Sequence, residues 1–236
     1  MTGKCQNLKF GFTAAATSAD TECSSDGERY AQMLTDCKLG FELGYDCAWV
    51  LEHHFTDYFP TPSPIVVMSH LAAAFPGLSL GSCVLVLPWY NPLRLAEEIS
   101  MLSHFCKGDL HLAFGRGTAK IEYDAYDIDM SSAKERFKEA IKIINQALLG
   151  EPFEFKGDFY EVGRKVAIRP TPNREKIHFY GAVGSKDSAA GNADMGMPIL
   201  LNTQFPPHML KKVTTGWQAR ADEIGFVAAG DRPIST

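Results

Sequence analysis

The chain has no C-x-x-C pair, and its six cysteines (Cys5, Cys23, Cys37, Cys47, Cys83 and Cys106) lie scattered along 236 residues. At this length that spacing reads as reduced thiols and excludes a disulfide framework or a zinc knuckle. It also has no basic excess. The formal net charge is −5, which gives no electrostatic reason to bind nucleic acid or an anionic membrane surface. No apolar run reaches the roughly 18 residues of a membrane span, and residues 1–10 hold no apolar signal core. The expectation is therefore a cytoplasmic protein. Two phosphate-binding loops are missing as well: no G-x-G-x-x-G follows the first strand-like segment, and no P-loop occurs. What is present is ordinary for a globular protein, 45% hydrophobic and 22% charged residues. The expected organisation is one domain over residues 1–236, with a hairpin insertion at residues 150–172.

Strand-like and helix-like segments alternate. Residues 8–14 are β-rich, and residues 28–43 carry Tyr30, Met33, Leu34, Cys37, Phe41 and Leu43 at helical spacing, stopped by Gly44. Residues 47–51 (CAWVL) are apolar throughout, as a parallel strand covered on both faces requires. The pair then recurs: helix 63–75, strand 78–87, helix 92–105, strand 109–114. Ser131 is placed to cap a helix running to residue 149, with Ala133, Phe137, Ile141, Ile144 and Leu148 on one stripe. Residues 153–169 break the rhythm with a hairpin around Lys156-Gly157-Asp158. Strand 177–183, helix 187–195, strand 197–201 and helix 207–224 restore it. Six strand–helix units predict an α/β fold with parallel pairing and right-handed crossovers. Without an open-sheet nucleotide fingerprint, the (β/α)8 TIM-barrel type is favoured.

The segment richest in chemistry is Trp49–Phe55, WVLEHHF, at the end of the second strand, where barrel enzymes place catalytic groups. An imidazole donates and accepts protons near neutral pH, so His53 or His54 is a candidate acid or base. A metal site needs about three converging ligands, and neighbouring strand residues point to opposite faces. A hydrogen-bonded pair that merely closes the strand is the plain structural alternative.

Leu51-Glu52-His53-His54-Phe55 resembles the signature of the bacterial luciferase-like, flavin-dependent monooxygenases. Further segments extend the likeness in order over about residues 8–226: Val86-Leu87-Pro88, Asn91 through Glu98, Gly115-Arg116-Gly117, Gly157-Asp158-Phe159-Tyr160, Arg169-Pro170-Thr171-Pro172 and Gly196-Met197-Pro198-Ile199. The resemblance implies reduced FMN as cofactor, with the deazaflavin F420 as alternative. It implies a small organic substrate such as an aldehyde, O2, a C4a-hydroperoxyflavin, and a separate reductase supplying the flavin. His53 would assist the reaction of flavin with oxygen, and His54 would support it by hydrogen bonding. Cys83 and Val84 fall where family members often have a non-prolyl cis peptide beneath the flavin ring; a simple core strand is the alternative for the rest of that segment.

Arg116 could grip a phosphate or the flavin edge with its planar fork, and Gly117 would let backbone approach the ligand. Pairing of Arg116 with a strand-end carboxylate is the competing role. Ser185 and Ser188 follow the fifth core strand and open a helix, a favourable anion site in which Ser185 is also an ordinary N-cap. Three departures from the luciferases stand out. Gly184 replaces an acidic residue, Lys134 replaces an arginine and meets a phosphate only as a point charge, and Gly115 replaces a cysteine. The last argues against a light emitter.

A (β/α)8 chain takes about 250 residues, more with an insertion. Residues 227–236 (VAAGDRPIST) show no strand–helix pattern, so the last two units are expected to be missing. A fragment, a shortened gene or closure by a second chain would each account for that. The resemblance also implies a homo- or heterodimer formed through the early helices, and a non-catalytic flavin-binding subunit is a further reading.

Overall fold

The computed structural model describes residues 8–17, 25–201 and 204–226, with the backbone of Ile234–Ser235. In chain order the elements are β1 (Gly11–Ala14), α1 (Asp26–Glu42), β2 (Cys47–Val50), α2 (Pro64–Ala74), β3 (Ser79–Val86), α3 (Pro92–Phe105), β4 (Leu110–Gly115), α4 (Lys120–Ala125), α5 (Ala133–Ala147), β5 (Phe153–Lys156), β6 (Glu161–Val166), β7 (Ile177–Val183), α6 (Lys186–Asp194), β8 (Ile199–Leu201), α7 (Pro207–Ile224) and β9 (Ile234–Ser235). Strands β1-β2-β3-β4-β7-β8-β9 form one parallel sheet in that order, and β5 and β6 form the expected hairpin beside it.

Strand alternation gives the sheet two faces. Ala48, Val50, Leu80, Leu110, Leu112, Phe114 and Ile177 point outward. They pack against Met68 and Leu71 of α2, Leu95, Ile99 and Leu102 of α3, and Ile141 and Ile144 of α5. Each such buried aliphatic side chain contributes about 1.5–3 kcal/mol. The opposite face gathers Cys47, Trp49, Ala113, Tyr180 and Leu200, with Cys83 and Val84 packed against them. Side chains from β2 through β8 meet in one cluster only if the sheet curls, so this is the concave interior of a half-barrel.

Trp49 sets the tightness of that curl. A Cβ on Gly11 would come within 2.6 Å of its indole, and one on Gly81 within 2.4 Å. The large ring on β2 is accommodated because both flanking strands offer hydrogen in place of a side chain.

The helix ends follow local chemistry. Ser25 caps α1 in a reciprocal box with Glu28, so the helix begins two residues before the expected start. Met33 and Cys37 are buried as the pattern required, whereas Phe41 and Leu43 are exposed. At Gly40 α1 comes close to β1, where a Cβ would meet the Phe12 ring at 2.5 Å. Phe105, the last residue of α3, is likewise exposed. The stripe on α5 is buried as expected.

Three expectations need correction. Ser131 does not cap α5: the Asp129 carboxylate caps a 3₁₀ turn, Met130–Ser132, by accepting the Ser131 N–H at 2.9 Å, and Ser132 takes the N-cap position. The short helix α4 was not foreseen, because six residues are too few to show periodicity. Residues 227–236 are not without structure, since Ile234–Ser235 pairs parallel to β8 as a seventh strand of the sheet. Among the described residues β1 and β9 are its two edges.

The concave floor is polar as well as aromatic. His111 stacks on His178 at 5.1 Å and bonds the Tyr180 hydroxyl at 3.0 Å. Burial first, then the neighbouring His178, pushes the His111 imidazole down from 6.5 to about 4. A histidine depressed in the folded state supplies stability that is complete above pH 6.5 and lost as pH falls towards 4. Denaturant unfolding between pH 7 and pH 4 should show a loss of up to about 3 kcal/mol that His111→Gln largely removes. An identical pH slope in the variant would contradict the assignment.

Candidate active site at the strand ends

The segment after β2 folds back across the ends of the parallel strands. Its second residue, Glu52, is 4% exposed. The carboxylate accepts three donors: the Val86 N–H at 3.1 Å, the Tyr90 hydroxyl at 2.9 Å and His54 Nε2 at 3.0 Å. Burial raises its pKa, and the three hydrogen bonds pull the other way. An acceptor set filled by three donors belongs to the ionised carboxylate. His54, 6% exposed, bonds the Tyr126 hydroxyl through Nδ1 at 2.9 Å. Its backbone N–H is accepted by Glu122 at 3.1 Å.

His53 turns the other way. Its side chain is 32% exposed, with Nδ1 at 3.5 Å from the Tyr58 hydroxyl and 3.7 Å from the buried Glu122 carboxylate. Phe59 stacks on the ring at 5.7 Å, and the His53 N–H donates to the Thr61 carbonyl at 3.1 Å. The two histidines thus diverge, one into a buried polar network and one towards the opening. Among the described residues no cluster of three or more His, Cys, Asp or Glu could hold a metal ion.

Cys83 and Val84 are joined by a cis peptide, as the resemblance implied. They are the only two residues in the second half of β3 that keep accessible surface; Leu85 and Val86 are buried, as are Leu80, Gly81 and Ser82 before them. Val84 lies against Gly115 across the strands, where a Cβ would meet its Cγ2 at 2.5 Å. A bulkier residue at position 115 would push that wall into the opening.

Arg116 is exposed, and among the described residues its guanidinium forms no ion pair, so the strand-end carboxylate partner is not found. Its carbonyl accepts the Tyr123 hydroxyl. Gly117 adopts φ +72, a left-handed conformation suited to glycine, and a Cβ there would meet Val86 at 2.8 Å. Ser185 is the N-cap of α6, in a reciprocal box with Ser188. The N-cap role is therefore real; Ser185 is exposed and Ser188 half-buried after β7, the strand next to β4. Lys134 is exposed in the first turn of α5 and shares no hydrogen bond or ion pair with the other expected residues.

The arrangement has members that the sequence reading missed. Glu52 stood inside the quoted motif without a role. Glu122 and Tyr126 come from α4 and the residue after it, and their only sequence signal was one helical turn of spacing after Gly117. Trp89, in the turn after β3, stacks on Tyr126 at 5.2 Å and meets Tyr123 edge-on at 4.6 Å. Its indole N–H is buried without an acceptor among the described residues.

The curled parallel sheet is shared with known proteins. The model of the luciferase-like monooxygenase family matches residues 9–232. The chain is 26% identical to the alkanal monooxygenase alpha chain of Photorhabdus luminescens over 70% of its own length and 46% of that protein's. It is 28% identical to the oxygenase component of a flavin-dependent trigonelline monooxygenase of Acinetobacter baylyi, over 61% of its length and 40% of that protein's. Among solved structures, a monooxygenase from Streptomyces bottropensis superposes with a TM-score of 0.87 at 23% identity, covering 97% of this chain and 70% of that one. The FMN complex of the oxygenating constituent of 3,6-diketocamphane monooxygenase from Pseudomonas putida gives 0.78 at 18%, covering 96% and 65%. An F420-dependent secondary alcohol dehydrogenase gives 0.82 at 17%, covering 98% and 68%. The chain belongs to the luciferase-like monooxygenase family, and it spans about half the length of the curated relatives it matches.

Replacing Glu52 tests whether the site is built on its carboxylate. Glu52→Ala leaves a peptide N–H, a phenol and an imidazole buried without their acceptor, so unfolding should become easier by about 3–5 kcal/mol. A loss below about 1 kcal/mol in denaturant unfolding would mean that water replaces the carboxylate without cost.

Proposed function

We propose that this chain forms the flavin-binding part of a reduced-FMN-dependent monooxygenase that oxidises a small organic substrate with O2. The observation that carries this reading is the partly accessible pair Cys83 and Val84 on β3, with the Gly115-Arg116-Gly117 turn beside it at the end of β4 and His53 just past the end of the neighbouring β2. A planar ring would lie against this partly accessible strand surface, beside the wall that Gly115 relieves, and the residues present suit such a group.

Arg116 and the α6 N-terminus with Ser185 and Ser188 would hold the phosphate end, the arginine by charge and the helix by its free N–H groups. Lys134 adds positive charge from α5. When bound, reduced flavin supplies the oxygen chemistry, by way of the C4a-hydroperoxyflavin of the resemblance. The protein's own part is to hold and shield. His53 offers a proton donor or acceptor at the ring edge, steadied by Glu122 and the flanking Tyr58 and Phe59. Phe55, Trp89 and Tyr126 form an aromatic border that lowers the water content of the mouth.

The reductant would come from a separate flavin reductase, in keeping with the oxygenase-component name of one relative. Two chains would associate through the early helices. An apolar groove of about 460 Å³ between α1 and α2, lined by Tyr30, Met33, Leu34, Val66 and Val67, supports that placement. No helix among the described residues is long and apolar enough to cross a membrane, in keeping with the expected cytoplasmic setting. One neighbour's F420 dependence keeps hydride transfer as the second reading.

Titration should show FMN binding that Arg116→Ala weakens by about tenfold, equivalent to about 1.4 kcal/mol, while F420 binds more weakly. In stopped-flow mixing with O2, the reduced FMN complex should give a transient hydroperoxyflavin absorbance that His53→Ala shortens. Oxidation at the rate of free reduced flavin would refute the monooxygenase reading, and preferential binding of F420 would move the function to hydride transfer.

A further inference from the structure

The role given to His53 gives no proton-transfer part to Glu52, His54 or the Tyr126 hydroxyl, and these three form a continuous hydrogen-bonded chain. Glu52 is 4% exposed and His54 6%, but Tyr126 is 38% exposed at the mouth. The carboxylate, already holding the Val86 N–H and the Tyr90 hydroxyl, accepts from His54 Nε2 at 3.0 Å. Donation through Nε2 leaves Nδ1 as the acceptor, so the Tyr126 hydroxyl donates to it at 2.9 Å. The phenol oxygen then keeps lone pairs for a second partner, on a residue that is 38% exposed. Its ring is fixed by Trp89 at 5.2 Å, Phe55 at 5.5 Å and the edge of His54 at 5.3 Å.

We infer that Glu52, His54 and Tyr126 form a proton relay that takes the proton of an acidic substrate hydroxyl, a phenol or an enol, at the mouth. The substrate O–H bond breaks and its proton passes to the Tyr126 oxygen. The proton of Tyr126 passes in the same step to His54 Nδ1. The substrate is left as its phenolate or enolate, and the imidazolium faces the Glu52 carboxylate. No electrons are exchanged, and the reverse sequence returns the proton. Tyr126 is the group that touches substrate; His54 and Glu52 act through it.

Glu122, Tyr90, Tyr123 and His53 are the other ionisable groups next to the relay. Glu122 accepts the His54 backbone N–H, and with Glu52 it raises the Tyr126 pKa after burial has done so. The resting phenol is thus kept protonated and serves as a conduit. Tyr90 donates to Glu52, and burial raises its pKa first. Tyr123 bonds the Arg116 carbonyl and does not enter the chain. His53 faces Glu122 and Tyr58 on the other side.

The inference rests on the mouth being where substrate binds, but its test needs no turnover. 4-Nitrophenol is a phenol whose visible absorbance reports its ionisation. The whole chain, with and without FMN, is titrated with it across pH. The native protein should ionise the bound probe at a pH about one unit lower than free solution, a tenfold gain in phenolate. Tyr126→Phe keeps the ring that packs on Trp89 and should bind the probe without that gain. His54→Gln, which cannot take up the proton, should lose it too.

Circular dichroism controls for folding, and imidazole 15N shifts of His54 in the native protein should show Nδ1 unprotonated. Failure of the native protein to bind the probe, free-solution ionisation of the bound probe, or a gain that survives in Tyr126→Phe would each overturn the relay. FMN affinity on the same samples separates the two ideas. A gain without FMN binding condemns the flavin reading alone; FMN binding without a gain condemns the relay alone.

Discussion

Three donors from two different strand ends converge on one buried carboxylate. His54 belongs to the segment after β2, while Val86 and Tyr90 belong to the end of β3 and the turn beyond it. Burying a charge costs several kcal/mol unless hydrogen bonds replace its water. The fold must therefore bring both strand ends to Glu52 or lose the carboxylate. Once they are there, much of the site follows. His54 is oriented through Nε2, Tyr126 is drawn to its other nitrogen, and the neighbouring His53 is left to face the opening. The position of the exposed histidine is a consequence of where the buried one is tied.

The same logic of fit governs the sheet beneath. Trp49 on β2 fills the concave face because β1 and β3 present Gly11 and Gly81 beside it. Farther along, Gly115 leaves space for Val84, which keeps its surface open next to Cys83. Small residues on strands thus shape the interior twice, once to admit a large ring of the protein itself and once to keep a patch clear. The floor of the interior carries the His111–Tyr180 hydrogen bond and the stacked His178. The upper rim carries the Glu52 and Glu122 networks. Polar groups therefore occur at two levels of the curled sheet, one in register with Trp49 and one beyond the strand ends.

Most of the architecture was legible because parallel strands buried on both faces and amphipathic helices leave strong, distinct patterns. CAWVL and the stripe on α5 are examples. The boundaries that failed are those decided by a hydrogen bond and not by a pattern. Asp129, not Ser131, caps the turn before α5, because its carboxylate reaches the Ser131 N–H. Ile234–Ser235 forms a strand because β8 offers it an edge, which no local composition reveals. At the site, His53, Arg116 and the Cys83–Val84 pair became candidates through the motifs that hold them. Glu122 and Tyr126 were not, because their partners are about seventy residues away in sequence. The contacts that complete the site cross between loops, and spacing within one loop cannot show them.

The account's central claim is that flavin lies at the strand-end mouth beside His53 and His54. The most direct measurement is a titration of the 15N-histidine-labelled protein with FMN, followed through the imidazole resonances. His53 and His54 should shift in step with saturation, while His104 on α3 and His208 on α7, on the outer helical layer, should stay in place. Shifts confined to His104 or His208, or saturable binding that moves neither His53 nor His54, would place the flavin elsewhere and contradict the account.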